Sequence, residues 1–262
     1  MKSKIFAVVA LLFIYGCSTV PLTGRRQLNI ISDQEILSLS NQSYTSYINS
    51  AKKSTNVTQS TMVKSCGKRI QNAVETYLAS QGASSQIAGY QWEFVLTEDN
   101  SINAFCMPGG KVVVYTGILP YTKTEAGLAV VLGHEIAHAV AKHSNERLSH
   151  QMLVQAGGSL LGTAIGNKSA TFQSVVNSVY GLGSNVGILL PFSREQEYEA
   201  DKLGLIFMAM AGYDPTVAID FWTRMAQSGS STTPEFLSTH PADAKRINAI
   251  KNIMPEVLKY KK

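Results

Sequence analysis

His134-Glu135-Ile136-Ala137-His138 constrains this chain more than any other stretch. The residues around it, Glu125 to Val131 and Ala137 to Ala141, are largely apolar and alanine-rich, so the run reads as a helix that enters a core. At about 100° per residue, positions four apart lie roughly 40° from each other around the axis, which puts both imidazoles on one face. Glu135 falls at the edge of that face. Three polar groups inside such a helix need partners, and a divalent metal ion satisfies them.

Composition sets the outer bounds. With 262 residues, 45% hydrophobic and 16% charged, the chain is long enough to bury a substantial core as one globular domain. The formal charge is +5, or about +3 without Lys2 and Lys4, and the basic residues are scattered. Nucleic acid is therefore not an expected partner.

Lys2 and Lys4 precede an apolar run from Ile5 to Tyr15, too short for the ~20 residues that span a bilayer. It reads as a secretion signal. Ile14-Tyr15-Gly16-Cys17 resembles the bacterial lipobox, although Tyr15 is bulkier than the usual residue there. The expected organisation is a lipoprotein-type signal peptide over 1–16, a lipidated tether over 17–31 and a single domain over 32–262. Cys17 would carry the acyl chains that hold the protein to a membrane. Ser18, in place of a retention aspartate, favours the outer membrane of a bacterial envelope, with the domain facing the periplasm.

Ser32-Asp33-Gln34-Glu35 has capping-box spacing and predicts a helix to about Ser50; a second helix is expected from about Gln59 to Ala79. Trp92 to Thr97, Ile102 to Met107 and Val112 to Thr116 read as strands, the last two joined by a turn at Pro108-Gly109-Gly110-Lys111. The fold class is α+β, mainly α, with a small mixed sheet beside the central helix. A sheet edge there could take an extended peptide as an added strand, with Asn103 and Phe105 as substrate-binding candidates; an interior hairpin is the alternative. The central helix is expected to begin after Pro120, on a capping spacing of Thr122 to Glu125, and to end near Lys142-His143. His143 is five residues past His138 and reads as a capping or surface residue. Cys66 and Cys106 are equally compatible with a disulfide and with buried free thiols.

H-E-x-x-H on a helix is the spacing with which zinc proteases hold their metal, and zinc needs a third protein ligand. Ser193 to Asp201 offers acids on a further helix. Spacing alone does not separate Glu197 from Glu199. Asp201, one turn after Glu197 on the same face, favours Glu197, because a ligand histidine needs an acceptor for its other nitrogen. Glu195 and Glu199 would then point to solvent.

Four motifs now stand along the chain: Asn103-Ala104-Phe105 with Pro108-Gly109-Gly110, HExxH at 134–138, Glu197-Tyr198-Glu199-Ala200-Asp201, and Ser238-Thr239-His240-Pro241 followed by Arg246-Ile247. Together they resemble the zincin-like gluzincin family that includes the CAAX prenyl proteases, HtpX-like membrane proteases and periplasmic lipoprotein relatives. The resemblance covers roughly 32–252. It implies that His134, His138 and Glu197 ligate one zinc ion, that Glu135 is the general base, and that Asp201 orients a ligand histidine or assists proton transfer. His240 would approach the metal, stabilising an oxyanion or filling the open site. The transmembrane helices of the prenyl proteases have no counterpart, so intramembrane processing of prenylated substrates is not implied.

The expected function is zinc-dependent endopeptidase action on misfolded or unassembled envelope proteins. The rival is a lipoprotein assembly factor or chaperone, linked to outer-membrane protein assembly, whose metal site is structural or gating; a zinc hydrolase of non-peptide amides is a weaker third. Gln155 to Leu190 is rich in Gly, Ala and Ser and is read as a lid over the cleft or as plain packing or oligomer contact.

Overall fold

The computed structural model describes residues 17–20, 23–159, 192–228 and 234–261. The stretch read as a lid or packing segment lies mostly outside these residues. In chain order the elements are β1 (Cys17–Thr19), β2 (Arg26–Leu28), α1 (Asp33–Ser50), α2 (Val57–Ser80), β3 (Glu93–Thr97), β4 (Ala104–Met107), β5 (Lys111–Tyr115), α3 (Leu119–Thr122), α4 (Glu125–Val140) and α5 (His143–Ser159). Then follow α6 (Arg194–Met210), α7 (Val217–Ser228), α8 (Glu235–Thr239) and α9 (Ala244–Val257). This is the expected mainly helical α+β fold. No described helix is long and apolar enough to cross a membrane.

Helix α4 is the centre of the molecule. Every residue from Gly127 to Val140 is buried, as a helix apolar on all sides requires. Each Leu, Val or Ile it buries contributes roughly 1.5–3 kcal/mol. It packs most extensively on α6 and also on α2 and the sheet. Its start differs from the expected one. The cap is Thr124, whose side chain accepts from Gly127 N, because Lys123 takes φ 60° and closes the short α3 before α4 begins. The predicted cap at Ser32 is found, accepting from Glu35 N at 3.2 Å.

The three-stranded sheet has the order β3-β5-β4, with β3 parallel and β4 antiparallel to β5. Pro108-Gly109-Gly110 makes the β4–β5 turn, with φ of +90° at Gly109 and +80° at Gly110, conformations glycine adopts freely. Alternation along β4 sends Ala104 and Cys106 toward the core that holds α4, and Phe105 and Met107 toward α1. Cys66 and Cys106 are buried and both free, which decides against a disulfide.

The segment read as a tether is packed where it is described. β1 and β2 pair antiparallel, and Ile30 N donates to Ser149 Oγ on α5 at 2.9 Å.

Candidate metal centre

Four side chains from three places in the fold converge. Helix α4 presents His134 and His138, the first turn of α6 presents Glu197, and His240 comes from the turn that ends α8. His134 Nε2 lies 3.0 Å from His138 Nε2 and 3.1 Å from His240 Nδ1. Glu197 Oε1 lies 3.2 Å from His138 Nε2 and 2.9 Å from His240 Nδ1. One ligand atom from each residue falls within 4.8 Å of all the others, and all four residues are buried. Tetrahedral zinc with bonds of ~2.0–2.2 Å separates its ligands by roughly 3.3–3.6 Å, so an ion fits with an outward shift of a few tenths of an ångström. Imidazole nitrogens and a carboxylate oxygen are donors that suit zinc.

Each histidine of the HExxH motif is held from behind. His134 Nδ1 sits 3.0 Å from Asp201 Oδ1, one turn after Glu197 on α6. Arg246, on α9, fixes that carboxylate: its Nη2 and Nε donate to Asp201 at 2.7 and 2.8 Å, and its Nη1 approaches Glu197 Oε2 at 2.6 Å. The guanidinium lies over the Trp222 ring, 3.6 Å from the centroid, and the residue is 2% exposed.

His138 has a different support, and here two expectations are corrected. His143 is neither a surface residue nor a cap. It is fully buried at the start of α5, with Nδ1 2.7 Å from His138 Nδ1. Glu199 does not face solvent but accepts from His143 Nε2 at 2.8 Å. Glu195 is exposed as expected. The roles of His143, Glu199 and Arg246 were not read from the chain. The only local signal was a histidine shortly after HExxH and a second acid two residues past Glu197.

Glu135 stands beside the cluster. Its Oε1 is buried, has no hydrogen-bond partner among the described residues, and lies 3.4 Å from His240 Nε2. A cleft opens onto it, lined by residues that include Asn103, Phe105, Glu135, His138, Phe192 and His240. Asn103 and Phe105 thus border the cleft, and β4 is an edge strand of its sheet. The Phe105 ring, however, packs on Tyr47 and Tyr115 on the opposite face, so only its backbone is available to an added strand. Asn103 Oδ1 accepts from Ala104 N at 2.9 Å.

Burial and neighbouring charges shift the groups of the centre in different directions. Burial lifts the Glu135 carboxyl above its ordinary range. Burial opposes ionisation of Glu197 too, but Arg246, His240 and His134 outweigh it and hold that carboxyl well below its usual value. Burial also opposes protonation of His134, yet the Glu197 charge raises its pKa to about 9. His138, desolvated and next to His134, is driven well below 6.5 and stays neutral, the form that offers a lone pair.

The model of peptidase family M48 matches residues 67–254, which include all four converging residues. Mitochondrial metalloendopeptidase OMA1 of Arabidopsis thaliana is 36% identical over 181 residues, covering 68% of this chain and 35% of the relative. OMA1 of Schizosaccharomyces pombe is 40% identical over 176 residues, covering 66% of this chain and 50% of the relative. A beta-barrel assembly-enhancing protease of Yersinia pestis is 32% identical over 171 residues, 62% of this chain and 34% of the relative. The chain thus spans half or less of the length of these curated relatives. With a family match over most of its length and a donor set gathered by the matched segments, the chain belongs to peptidase family M48.

Proposed function

We propose that the chain is a zinc-dependent endopeptidase that cleaves misfolded or unassembled envelope proteins. The observation that carries this reading is Glu135 Oε1, buried and without a hydrogen-bond partner among the described residues, at the edge of a four-donor cluster that opens onto a cleft. Zinc, when bound by His134, His138 and Glu197, supplies a Lewis acid that acidifies water toward pKa ~7 and polarises a carbonyl.

The remaining chemistry belongs to the chain. Glu135 Oε1 takes the proton of the attacking water and passes it to the leaving amine; its raised affinity for protons suits a group that must hold one between the two steps. Asp201 keeps the His134 ring oriented through Nδ1. His240, which lines the cleft with Glu135 and has Nε2 3.4 Å from Glu135 Oε1, donates to the oxyanion. The backbone of β4 from Asn103 onward aligns an extended peptide by strand addition.

The lipobox-like run before Cys17 supports membrane anchoring through lipid. It also supports placement in the lipoprotein branch of the gluzincins, and Ser18, in place of a retention aspartate, supports the outer membrane, facing the periplasm. The names of the relatives, metalloendopeptidase and beta-barrel assembly-enhancing protease, support protein substrates and a link to outer-membrane assembly.

A second reading, an assembly factor with a structural or gating metal site, draws on the fourth donor: His240 Nδ1 closes the set, and closed sets are typical of structural zinc. Glu135→Gln separates the two. Retained zinc with lost casein cleavage supports the peptidase. Undiminished cellular function in that variant supports the assembly factor.

A further inference from the structure

We infer that Arg25 is a positioning residue for the metal centre, acting on His138 through Glu199 and His143. This rests on the zinc reading above and extends it to the N-terminal hairpin. Arg25 Nε donates to Glu199 Oε2 at 2.7 Å, and the Thr23 hydroxyl donates to Glu199 Oε1. Arg25 Nη1 and Nη2 fork onto the two oxygens of Glu146 on α5, each at 2.8 Å. Gln196, next to Glu197 on α6, donates to the same Glu146 at 2.7 Å. One guanidinium therefore ties together the helices that carry His143 and Glu199.

The hydrogen bonds beyond Glu199 can run in one direction only if His138 is to bind metal. His138 must offer an Nε2 lone pair to the cluster, so its proton is on Nδ1. That proton goes to His143 Nδ1, 2.7 Å away, which must then be the acceptor. The His143 proton is left on Nε2, and it goes to Glu199 Oε2 at 2.8 Å. The relay needs an ionised, immobile Glu199 at its end. Arg25 and Thr23 supply that, as Arg246 does for Asp201 behind His134. Both supports thus end in a carboxylate held by an arginine, directly behind His134 and through His143 behind His138, and Arg25 lies 174 residues from Glu199 in sequence.

The test uses the full chain, with zinc affinity measured by chelator competition and the absorption spectrum of the cobalt(II)-loaded protein. Wild type and Arg25→Ala should each take up one ion, the variant with roughly tenfold or more lower zinc affinity and a shifted cobalt spectrum. Arg25→Lys keeps the charge but cannot fork onto two carboxylates, and should fall between them. Zinc affinity for Arg25→Ala within about twofold of wild type, with the same cobalt spectrum, would overturn the inference. If Arg25→Ala does not fold, wild-type affinity and spectrum in Arg25→Lys overturn it instead. The zinc reading fails separately, and takes this inference with it, if wild type takes up no zinc or if Glu197→Gln holds zinc as tightly as wild type.

Discussion

Gly133 and Gly204 meet where α4 crosses α6, so closely that a Cβ on Gly133 would lie 2.6 Å from the Gly204 carbonyl oxygen. A Cβ on Gly204 would lie 2.7 Å from Gly133 C and from His134 N. Neither neighbour can give way, because both are backbone. This contact sits beside His134 on one helix and one turn past Asp201 on the other, and it sets how far the HExxH face stands from the acids that complete the site.

Gly204→Ala should therefore separate the two helices. Overpacking of a tight core contact typically costs about 1–3 kcal/mol, and zinc affinity should fall with it because His134 and Glu197 move apart. Urea denaturation and metal analysis on the same preparation check both effects. A variant with unchanged stability would mean that the crossing is looser than described.

Arg246→Met should be among the most damaging single changes outside the four donors. The methionine fills part of the space over Trp222 but leaves Asp201 and one oxygen of Glu197 buried without their cation. Removing one partner of a buried ionic group costs about 3–5 kcal/mol. The shift in denaturation midpoint measures this, and a loss below about 1 kcal/mol would show that water or a relaxed side chain replaces the guanidinium.

What was legible in the chain was what short-range physics controls. The apolar run around HExxH, the Ser32 cap and the alternation from Trp92 to Thr97 each depend on residues within a few positions of one another. Glu197 could be favoured over Glu199 because Asp201, its companion, is four residues away. His143 and Glu199 were misplaced because their burial depends on each other and on Arg25, partners 56 and 174 residues away from Glu199. The N-terminus of α4 was set two residues early because nothing in Thr122-Lys123-Thr124 announces that Lys123 takes a positive φ. The parallel pairing of β3 with β5, which puts β4 at the edge, is likewise a tertiary choice.

Metal removal should lower the stability of the folded chain. An ion that binds only the folded state adds RT ln(1 + [L]/Kd), about 2.7 kcal/mol at a hundredfold excess over Kd, or roughly 5–10 °C in Tm for a domain of this size. Chelation should lower Tm by that order, and added zinc should restore it. Glu135→Gln should keep the shift while losing cleavage, whereas His134→Ala should lose both. An identical Tm with and without chelator would sink the assignment of a zinc site to this cluster.

The two buried thiols give a test in the alkaline range. Burial pushes the Cys66 thiol up to about 12 and the Cys106 thiol well above its ordinary value, so at pH 8 almost no reactive thiolate forms in the folded chain. A thiol reagent should label both residues slowly in the native protein and both rapidly in denaturant; absence of labelling at either position after unfolding would mean that they are oxidised. The sign of the pH effect on stability follows from the same shifts. The folded chain holds these protons more tightly than the unfolded one, so the contribution is complete below the unfolded thiol value of about 8.5 and is lost as pH rises toward the folded values. Replacing both cysteines by alanine should flatten the fall in denaturation midpoint between about pH 8.5 and 10.5, a window below the folded Cys66 value. A fall of unchanged size in the double variant would assign the alkaline loss to other groups.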